Sequence, residues 1–260
     1  MLVRSTPILL AAWLLAFASS AGAAEPIRKI VCHNDVLAPY FMRNGPTFNG
    51  INVDMLVEAA KRLSIPLEIK EMPWKRVEFE LQKSPAGEVE CAFAFSRTPA
   101  REQYMEYTNV VMQRTEYVLF VRKGAGIKGL KDLEGKTIGV RRGFRQPDAI
   151  AEGAANGRFQ TEEAGSDTSN FQKLSLGRID AVMINFDVGM YMLKEMGLAG
   201  SIQPIGPSLF HLDNFLVFGK GKGLSHLIPL FDREFERMQQ DGSYARIRAR
   251  YIDDKALVLQ

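Results

Sequence analysis

Cysteine and histidine are scarce in this chain of 260 residues, which has two of the first and three of the second. The histidines are scattered, and none stands at a metal-ligand spacing from Cys32 or Cys91. A glycine-rich phosphate loop and a nucleophile elbow are also missing. We therefore expect neither a metal nor a cofactor.

Tracts of one charge are missing as well. The chain has 33 Lys and Arg against 30 Asp and Glu, a net charge of +3, and the two signs are interspersed. Aromatic residues do not alternate with basic ones in the way that nucleic-acid-binding surfaces favour. We expect no nucleic-acid partner.

Long apolar runs are limited to the beginning of the chain. Arg4 precedes an apolar run from Ile8 to Ala18, and small residues follow as far as Ala24. This pattern predicts a secretory signal peptide over residues 1–24, cleaved after Ala23 or Ala24. The alternative is a membrane anchor, but a span takes about 20 apolar residues. Cleavage would remove Arg4 and leave an exported protein with a net charge of +2.

Beyond residue 24 the chain predicts two rounds of alternating strands and helices. The first round has strands over 30–35, 67–72 and 89–95, and helices over 50–63 and 76–82. Such alternation is typical of a parallel sheet covered by helices. The strand ends at Asn34–Asp35, Pro73–Trp74 and Ser96–Thr98 should then meet at one edge, where ligands bind in such folds.

The second round lies between two long extended segments, 117–122 and 214–220. It predicts strands over 137–141 and 179–184, and helices beginning near Gly143, around Phe171 and over 188–196. If each round forms a separate lobe and both extended segments cross between the lobes, these two segments form a hinge. Lobe 1 would then comprise 25–120 and 216–260, and lobe 2 would comprise 121–215. The alternative is one larger sheet.

The segment from Ser96 to Arg101 is the strongest local signal for a site. Thr98 has the character of a helix N-cap, and Pro99 suits a first helical position. Arg101, one turn on, is able to bind a carboxylate through two parallel hydrogen bonds. The alternative is an ordinary cap followed by a solvated arginine.

With these elements in place, six short motifs follow one another along nearly the whole exported chain. They are Ala38–Phe41, Gly50–Leu56, Ser96–Arg101, Leu130–Val140, Leu176–Val182 and Asp241–Tyr244. In these motifs and their order the chain resembles the family 3 periplasmic solute-binding proteins, the receptors of polar amino acid ABC importers. This resemblance implies an α/β, two-lobed periplasmic-binding-protein fold of type II, with mainly parallel sheets joined by two hinge strands.

The resemblance also implies roles for individual residues. Arg101 would bind the α-carboxylate of an amino acid, with Ser96 and Thr98 completing the contact. The family's strand order would place Cys32 beside Cys91. An even cysteine number in an exported protein permits a disulfide, and two buried thiols are the alternative.

The second lobe departs from the family pattern at two positions. Phe144 stands where a small hydroxylated residue is usual, and Asn185 stands where an aspartate usually holds the α-ammonium. Asp187 is a possible substitute. The ligand is therefore either an unusual amino acid or a small acid without an α-ammonium group. Phe144 and Arg145 are predicted to contact the ligand. The alternative is that Phe144 packs between the lobes and that Arg145 points into solvent.

Two aromatic residues in the first lobe, Tyr40 and Trp74, are predicted to stack on the ligand. The expected function is a monomeric, non-enzymatic periplasmic receptor that delivers an amino acid or small carboxylate to an ABC permease. One alternative is a dehydratase-like enzyme on the same fold, with Glu116 and Asp187 as candidate acids. Another is a ligand-sensing receptor for a signalling partner.

Overall fold

Strands and helices alternate along the chain in the computed structural model, which describes residues 28–143 and 146–252. The predicted signal peptide lies outside the described residues. The strands are β1 Ile30–Asn34, β2 Met42–Asn44, β3 Thr47–Asn49, β4 Leu67–Glu71, β5 Cys91–Ser96, β6 Met105–Tyr107, β7 Gln113–Arg122, β8 Thr137–Arg141, β9 Gln160–Ala164, β10 Ala181–Asn185 and β11 Ile202–Gly219. The helices are α1 Ile51–Arg62, α2 Trp74–Gln82, α3 Asp148–Ala155, α4 Asp167–Ser175, α5 Phe186–Glu195, α6 Ile228–Gln240 and α7 Ser243–Ala249.

One nine-stranded mixed sheet runs through both lobes. Its order is β4-β1-β5-β11-β7-β10-β8-β9, and β6 also pairs with β11. The first lobe is built on β4, β1, β5 and β6, and the second on β10, β8 and β9. Pairing is parallel among β4, β1 and β5 and among β10, β8 and β9. The predicted two-lobed α/β fold is confirmed, and the strands of the two lobes also form one sheet because β7 and β11 join them. The residues at which each lobe begins stay a prediction.

Two strands connect the lobes. β7 and β11 are antiparallel to each other from Ile202 opposite Arg122 to Asn214 opposite Gln113. β7 continues its pairing into the second lobe with β10, and β11 continues into the first lobe with β5 and β6. The extended segments predicted at 117–122 and 214–220 are parts of these crossing strands.

Helix α1 shows how the sequence positions the first lobe. Its apolar side chains recur at helical spacing and are buried against the sheet, which is the pattern of an amphipathic helix. Gly50 precedes the helix with a φ of 127°, and a Cβ there would lie 2.4 Å from the carbonyl oxygen of Tyr40. Only glycine fits this approach. The start of α1 is thereby held against the turn that carries Tyr40.

The prediction of a helix beginning at Pro99 is wrong. The chain forms a single 3-10 turn at Arg101–Gln103 and then enters β6 at Met105. The Thr98 hydroxyl does accept the Arg101 backbone N–H, at 3.3 Å, so the capping interaction forms without a helix behind it. A turn this short does not offer a ligand carboxylate the aligned backbone N–H groups of a helix N-terminus.

Cys32 and Cys91 form a disulfide bond. They lie directly opposite each other on β1 and β5, as the family's strand order implied. Both are at most 1% exposed. The bond therefore links two neighbouring strands in the interior of the first lobe.

None of the helices in residues 28–143 and 146–252 is long and apolar enough to cross a bilayer.

Replacing both cysteines by alanine should lower the free energy of unfolding by about 3–4 kcal/mol, because the bond closes a loop across 59 residues of sequence separation. Urea unfolding followed by circular dichroism measures the change. Dithiothreitol should destabilise the wild-type protein and leave the double variant unchanged. Equal stability of the two proteins under oxidising conditions would contradict a structural role for the bond.

Candidate functional site: a cleft between the lobes

A cavity of about 450 Å³ lies between the two lobes. That volume is within the range of small-molecule sites, roughly 300–1,000 Å³. Both lobes and both crossing strands contribute to its wall. The lining residues are Asn34, Asp35, Val36, Leu37, Tyr40, Phe41, Asn52, Trp74, Ala94, Gln113, Thr115, Tyr117, Arg141, Asn185, Leu212 and Asn214.

The first-lobe wall is built on the ends of β1 and β5 and the start of α2. Trp74 stacks on Phe95, with ring centroids 4.1 Å apart and an interplanar angle of 16°. The Trp74 backbone N–H donates to Asp35 Oδ2 at 2.9 Å, and Asp35 Oδ1 accepts the N–H of Val36. Asp35 thus ties the end of β1 to the start of α2, and places a carboxylate and an indole side by side.

Amide side chains form the floor of the cavity where the crossing strands leave the first lobe. Asn52 donates to Gln113 Oε1 at 3.3 Å, and Gln113 donates to Thr115 Oγ1 at 2.9 Å. Asn214 also donates to Thr115 Oγ1, at 2.8 Å. Oδ1 of the buried Asn52 has no hydrogen-bond partner among the described residues. Since an unpaired buried acceptor is costly, this oxygen is suited to accept a ligand N–H.

Ala94 interrupts β5 at the cavity wall. Phe93 pairs with Leu216 and Phe95 with Phe215, so Ala94 is an extra residue with no counterpart on β11. Its φ is 63°, a left-handed conformation that is unfavourable for alanine. Such bulges re-aim the chain beside functional sites. Here the bulge brings the backbone of β5 into the lining of the cavity.

Changing Ala94 to glycine should raise the free energy of unfolding by up to about 1 kcal/mol, since glycine adopts a positive φ without the steric cost. Ala94→Val should lower it, because a β-branched residue is strained at this φ. Ala92→Gly is the matched control on the same strand, and it should be destabilising. Urea unfolding measures the stability of all three variants. A lower free energy of unfolding for Ala94→Gly than for the wild type would contradict the proposal that the backbone at Ala94 is strained.

The second-lobe wall is centred on the start of α5. Asn185 caps this helix, and its Oδ1 accepts the backbone N–H groups of Asp187 at 2.9 Å and Val188 at 3.2 Å. The Tyr40 hydroxyl of the first lobe lies 3.0 Å from Asn185 Oδ1 and 2.9 Å from Asp187 Oδ2, and donates its proton to one or the other. The other Asp187 oxygen is ion-paired with Arg248 on α7. We call Tyr40, Asn185, Asp187 and Arg248 the interlobe latch.

The latch is buried, and its carboxylate and guanidinium form an ion pair. The side chains of Asp187 and Arg248 are 9% and 14% exposed. Helix α7 packs on α1, so Arg248 belongs to the first lobe, whereas Asp187 belongs to the second. Burial, and then the charge of Asp187, raise the pKa of Tyr40 well above its usual value of 10. Tyr40 therefore remains a neutral hydrogen-bond donor at physiological pH.

Loss of the Arg248 charge should favour separation of the lobes. Arg248→Gln leaves the buried Asp187 carboxylate without its cation, which should disfavour the closed arrangement by about 1–3 kcal/mol. Small-angle X-ray scattering should show a larger radius of gyration. Arg246→Gln is the control, since the partners of Arg246 among the described residues are local, namely the Asp241 carbonyl and carboxylate and the Ser243 hydroxyl. Identical scattering from wild type and Arg248→Gln would contradict the latch.

Arg101 lies outside the cavity lining in this structure. Its Nε pairs with Glu78 Oε1 at 2.8 Å, and its Nη1 donates to the carbonyl and hydroxyl oxygens of Ser96 at 3.2 and 3.0 Å. Its guanidinium carbon lies 5.8 Å from the Trp74 ring centroid. The partner carboxylate comes from α2, and no motif in the sequence signalled this pairing. The carboxylate-binding role of Arg101 stays a prediction.

Arg141 is a lining residue that the sequence analysis missed. It ends β8, and its Nη1 donates to Asp167 Oδ2 at 2.8 Å. It lines the main cavity and also a smaller one of about 50 Å³, together with Tyr117 and Asn185. Its place at the carboxyl end of a parallel strand is the signal that could have found it.

The predicted site residues therefore divide into three groups. The cavity wall includes Tyr40, Trp74 and Asn185. Among the described residues, those lining the cavity do not include Ser96, Thr98 or Arg101. The remaining two predictions, Phe144 and Arg145, lie outside the described residues.

The two acids of the dehydratase alternative lie outside the main cavity. Residues 28–143 and 146–252 contain no group of three metal-ligating side chains. The candidate acids Glu116 and Asp187 line a separate groove beside Arg248 rather than the main cavity. The main cavity therefore lacks both acids that the dehydratase alternative needed.

A two-lobed fold with a ligand-sized cavity between its lobes is the architecture of the periplasmic solute-binding proteins. The sequence profile of the bacterial extracellular solute-binding proteins, family 3, matches residues 30–254. The chain belongs to this family, whose members are binding proteins of the bacterial cell exterior. The predicted family is thereby confirmed.

Individual relatives are distant but cover almost the whole chain. The arginine-binding extracellular protein ArtP of Bacillus subtilis is 23% identical over 236 residues, 90% of each chain. The histidine-binding periplasmic protein of Escherichia coli K12 is 24% identical over 248 residues, 92% of this chain and 94% of the relative. The second substrate-binding domain of a putative amino acid ABC transporter from Streptococcus pneumoniae superposes with a TM-score of 0.74 at 20% identity, covering 86% of this chain and all of that domain.

Proposed function

We propose that this protein is a periplasmic receptor that closes its two lobes on an amino acid or small carboxylate and passes it to an ABC importer. It acts as a monomer without catalysing a reaction, and its partner is the importer's permease in the inner membrane. The observation that carries the proposal is the cavity itself, because its wall is shared between the lobes. A solute in that cavity contacts both lobes only when they are together.

Relatives of known or assigned ligand support the ligand class. ArtP is named for arginine, and the Escherichia coli relative for histidine. The streptococcal domain belongs to a putative amino acid transporter. The aromatic and amide lining of the present cavity is compatible with a small polar solute of this kind.

Closure provides the mechanism. A ligand that contacts Trp74 on one lobe and Asn185 on the other binds the closed form more tightly than the open form, and so shifts the population towards closure. Exclusion of water from the closed cavity strengthens each polar contact to the ligand. The latch contributes contacts to the closed form that do not involve the ligand. The closed surface is then what the permease recognises.

Arg101, Ser96 and Thr98 keep their predicted carboxylate role in this proposal. A guanidinium has five N–H donors, so Arg101 can retain its contact with Glu78 and still donate to a ligand carboxylate. Phe144 and Arg145 remain predicted ligand contacts.

A thermal-shift screen tests the proposal. Protein beginning at Glu25 is melted with each of the twenty L-amino acids, small organic acids and polyamines. A ligand present at about 100 times its Kd should raise the Tm by about 5–10 °C, because it stabilises the folded form by about 2.7 kcal/mol.

A pair of variants on α2 locates the binding. Trp74→Ala should abolish the shift, since Trp74 lines the cavity. Phe79→Ala should preserve it, since Phe79 is 53% exposed and lies outside the lining. The proposal fails if no amino acid or organic acid raises the Tm, or if Trp74→Ala responds as the wild type does.

A further inference from the structure

The parallel pairing of β1 with β5 ends just before the cavity. Over the residues that the structure describes, two pairs join these strands, the second being His33 with Ala92, whereas five pairs join β1 to β4. In the same register Asn34 would lie opposite Phe93, but the backbone pairing has stopped. Asn34 and Ala94, on either side of this break, line the cavity. The first-lobe wall is therefore built where two neighbouring strands are no longer joined by their backbones.

The side chain of Asn34 takes the place of the missing backbone pairing. Its Nδ2 donates to the Phe93 carbonyl oxygen at 2.8 Å, and its Oδ1 accepts the Asp35 backbone N–H at 2.8 Å. The Asn34 backbone carbonyl oxygen also accepts the N–H of Met72, which follows β4, at 2.9 Å. Asn34 is 5% exposed, so these bonds form in an interior where an unpaired partner is costly. A single carboxamide thus joins the ends of β1 and β5.

Two parts of the first-lobe wall depend on these bonds. The Phe93 carbonyl group immediately precedes Ala94, the bulge residue with a φ of 63°. Asp35 accepts the Trp74 backbone N–H, and the Trp74 ring stacks on Phe95 beyond the bulge. Trp74 therefore contacts both strand ends, through its backbone on the β1 side and through its ring on the β5 side. A change in the spacing between the ends of β1 and β5 must change this stacking.

A carboxamide suits this position because it has both a donor and an acceptor on a short side chain. A carboxylate of the same size would still accept the Asp35 N–H, but it would set a second acceptor against the Phe93 carbonyl oxygen. An alanine would offer neither group. The sequence places Asn34 at the edge where ligands bind in such folds, and only the structure shows what its side chain contacts.

We propose that Asn34 is the positioning residue of the first-lobe wall. Its carboxamide sets the spacing between the ends of β1 and β5, and so places Trp74 and Ala94 for contact with the solute. This inference rests on the proposed receptor function and names the residue on which the first lobe's share of the site depends. Because Asn34 acts through its neighbours, the role does not depend on which small solute the cavity holds.

Trp74 reports the strand spacing without any solute, since a protein beginning at Glu25 contains no other tryptophan. Two variants are compared with the wild type. Asn34→Ala and Asn34→Asp have in common the loss of the donor to Phe93, although the first also leaves a void and the second adds a charge. Each should shift the emission of Trp74 and increase its quenching by acrylamide.

Affinity is the second measurement. The probe is whichever of the twenty L-amino acids and small organic acids raises the wild-type Tm most, and calorimetry gives its Kd. Both Asn34 variants should raise this Kd roughly tenfold or more, because the loss of a buried hydrogen bond displaces the groups that contact the probe.

Thr108→Val is the matched control. Thr108 is also buried in the first lobe, and its hydroxyl lies 3.3 and 3.2 Å from the backbone carbonyl oxygens of Val110 and Leu216. It lies outside the cavity lining. The substitution should lower the Tm of the free protein as the Asn34 variants do. It should leave the Kd within about twofold of the wild type and the quenching of Trp74 unchanged.

The outcomes separate this inference from the receptor function. Weaker binding with unchanged Trp74 quenching would mean that Asn34 contacts the solute directly. A lower Tm with unchanged binding would mean that Asn34 only stabilises the fold. Either result overturns the inference and leaves the receptor function standing. If no amino acid and no organic acid raises the wild-type Tm, the receptor function fails, whereas the quenching of Trp74 still decides whether Asn34 positions this wall.

Discussion

The antiparallel pairing of β7 with β11 is the constraint on which the rest of the structure depends. These strands are the links through which the sheet passes from one lobe to the other, and they pair from Ile202 to Asn214. The cavity lies against them, since Gln113, Thr115 and Asn214 form its floor. Any change in the lobe arrangement must therefore be absorbed next to the site, which makes ligand contact and lobe movement parts of one equilibrium.

Two kinds of contact then stabilise the closed arrangement. The latch joins Tyr40 and Arg248 of the first lobe to Asp187 of the second without any ligand. The cavity adds the ligand-dependent part, with Asp35 and Arg141 on opposite lobes. A ligand shifts the equilibrium between the open and closed forms only by the difference in its affinity for the two. A stronger latch increases the fraction of protein that is closed without ligand, and so reduces the increase in closed protein that the ligand can cause.

Much of the fold could be predicted from the sequence, because apolar periodicity reports burial directly. The strand and helix alternation in both lobes follows from that periodicity, and the neighbouring strands of Cys32 and Cys91 follow from family resemblance. β9 was missed because its residues, Gln160–Ala164, are mostly polar. The first half of β11 was missed because Pro204 and Pro207 interrupt it.

The site was harder to predict, since it depends on which side chains meet across the fold. Tyr40, Trp74 and Asn185 line the cavity. The sequence analysis selected them because they follow strand ends or replace family residues, and their contact with a ligand stays a prediction. The pairing of Arg101 with Glu78 joins two elements 23 residues apart, and no local pattern reports it. The same holds for the amide floor, where Asn52 meets Gln113 across the lobe.

The emission of Trp74 is the most direct test of a ligand site in the interlobe cavity. The sequence has two tryptophans, Trp13 and Trp74, so a protein beginning at Glu25 contains Trp74 alone. An amino acid that raises the Tm should also change the emission of Trp74 saturably, with the Kd that calorimetry gives. Thermal stabilisation by an amino acid with no change in Trp74 emission would place the ligand elsewhere and contradict the account.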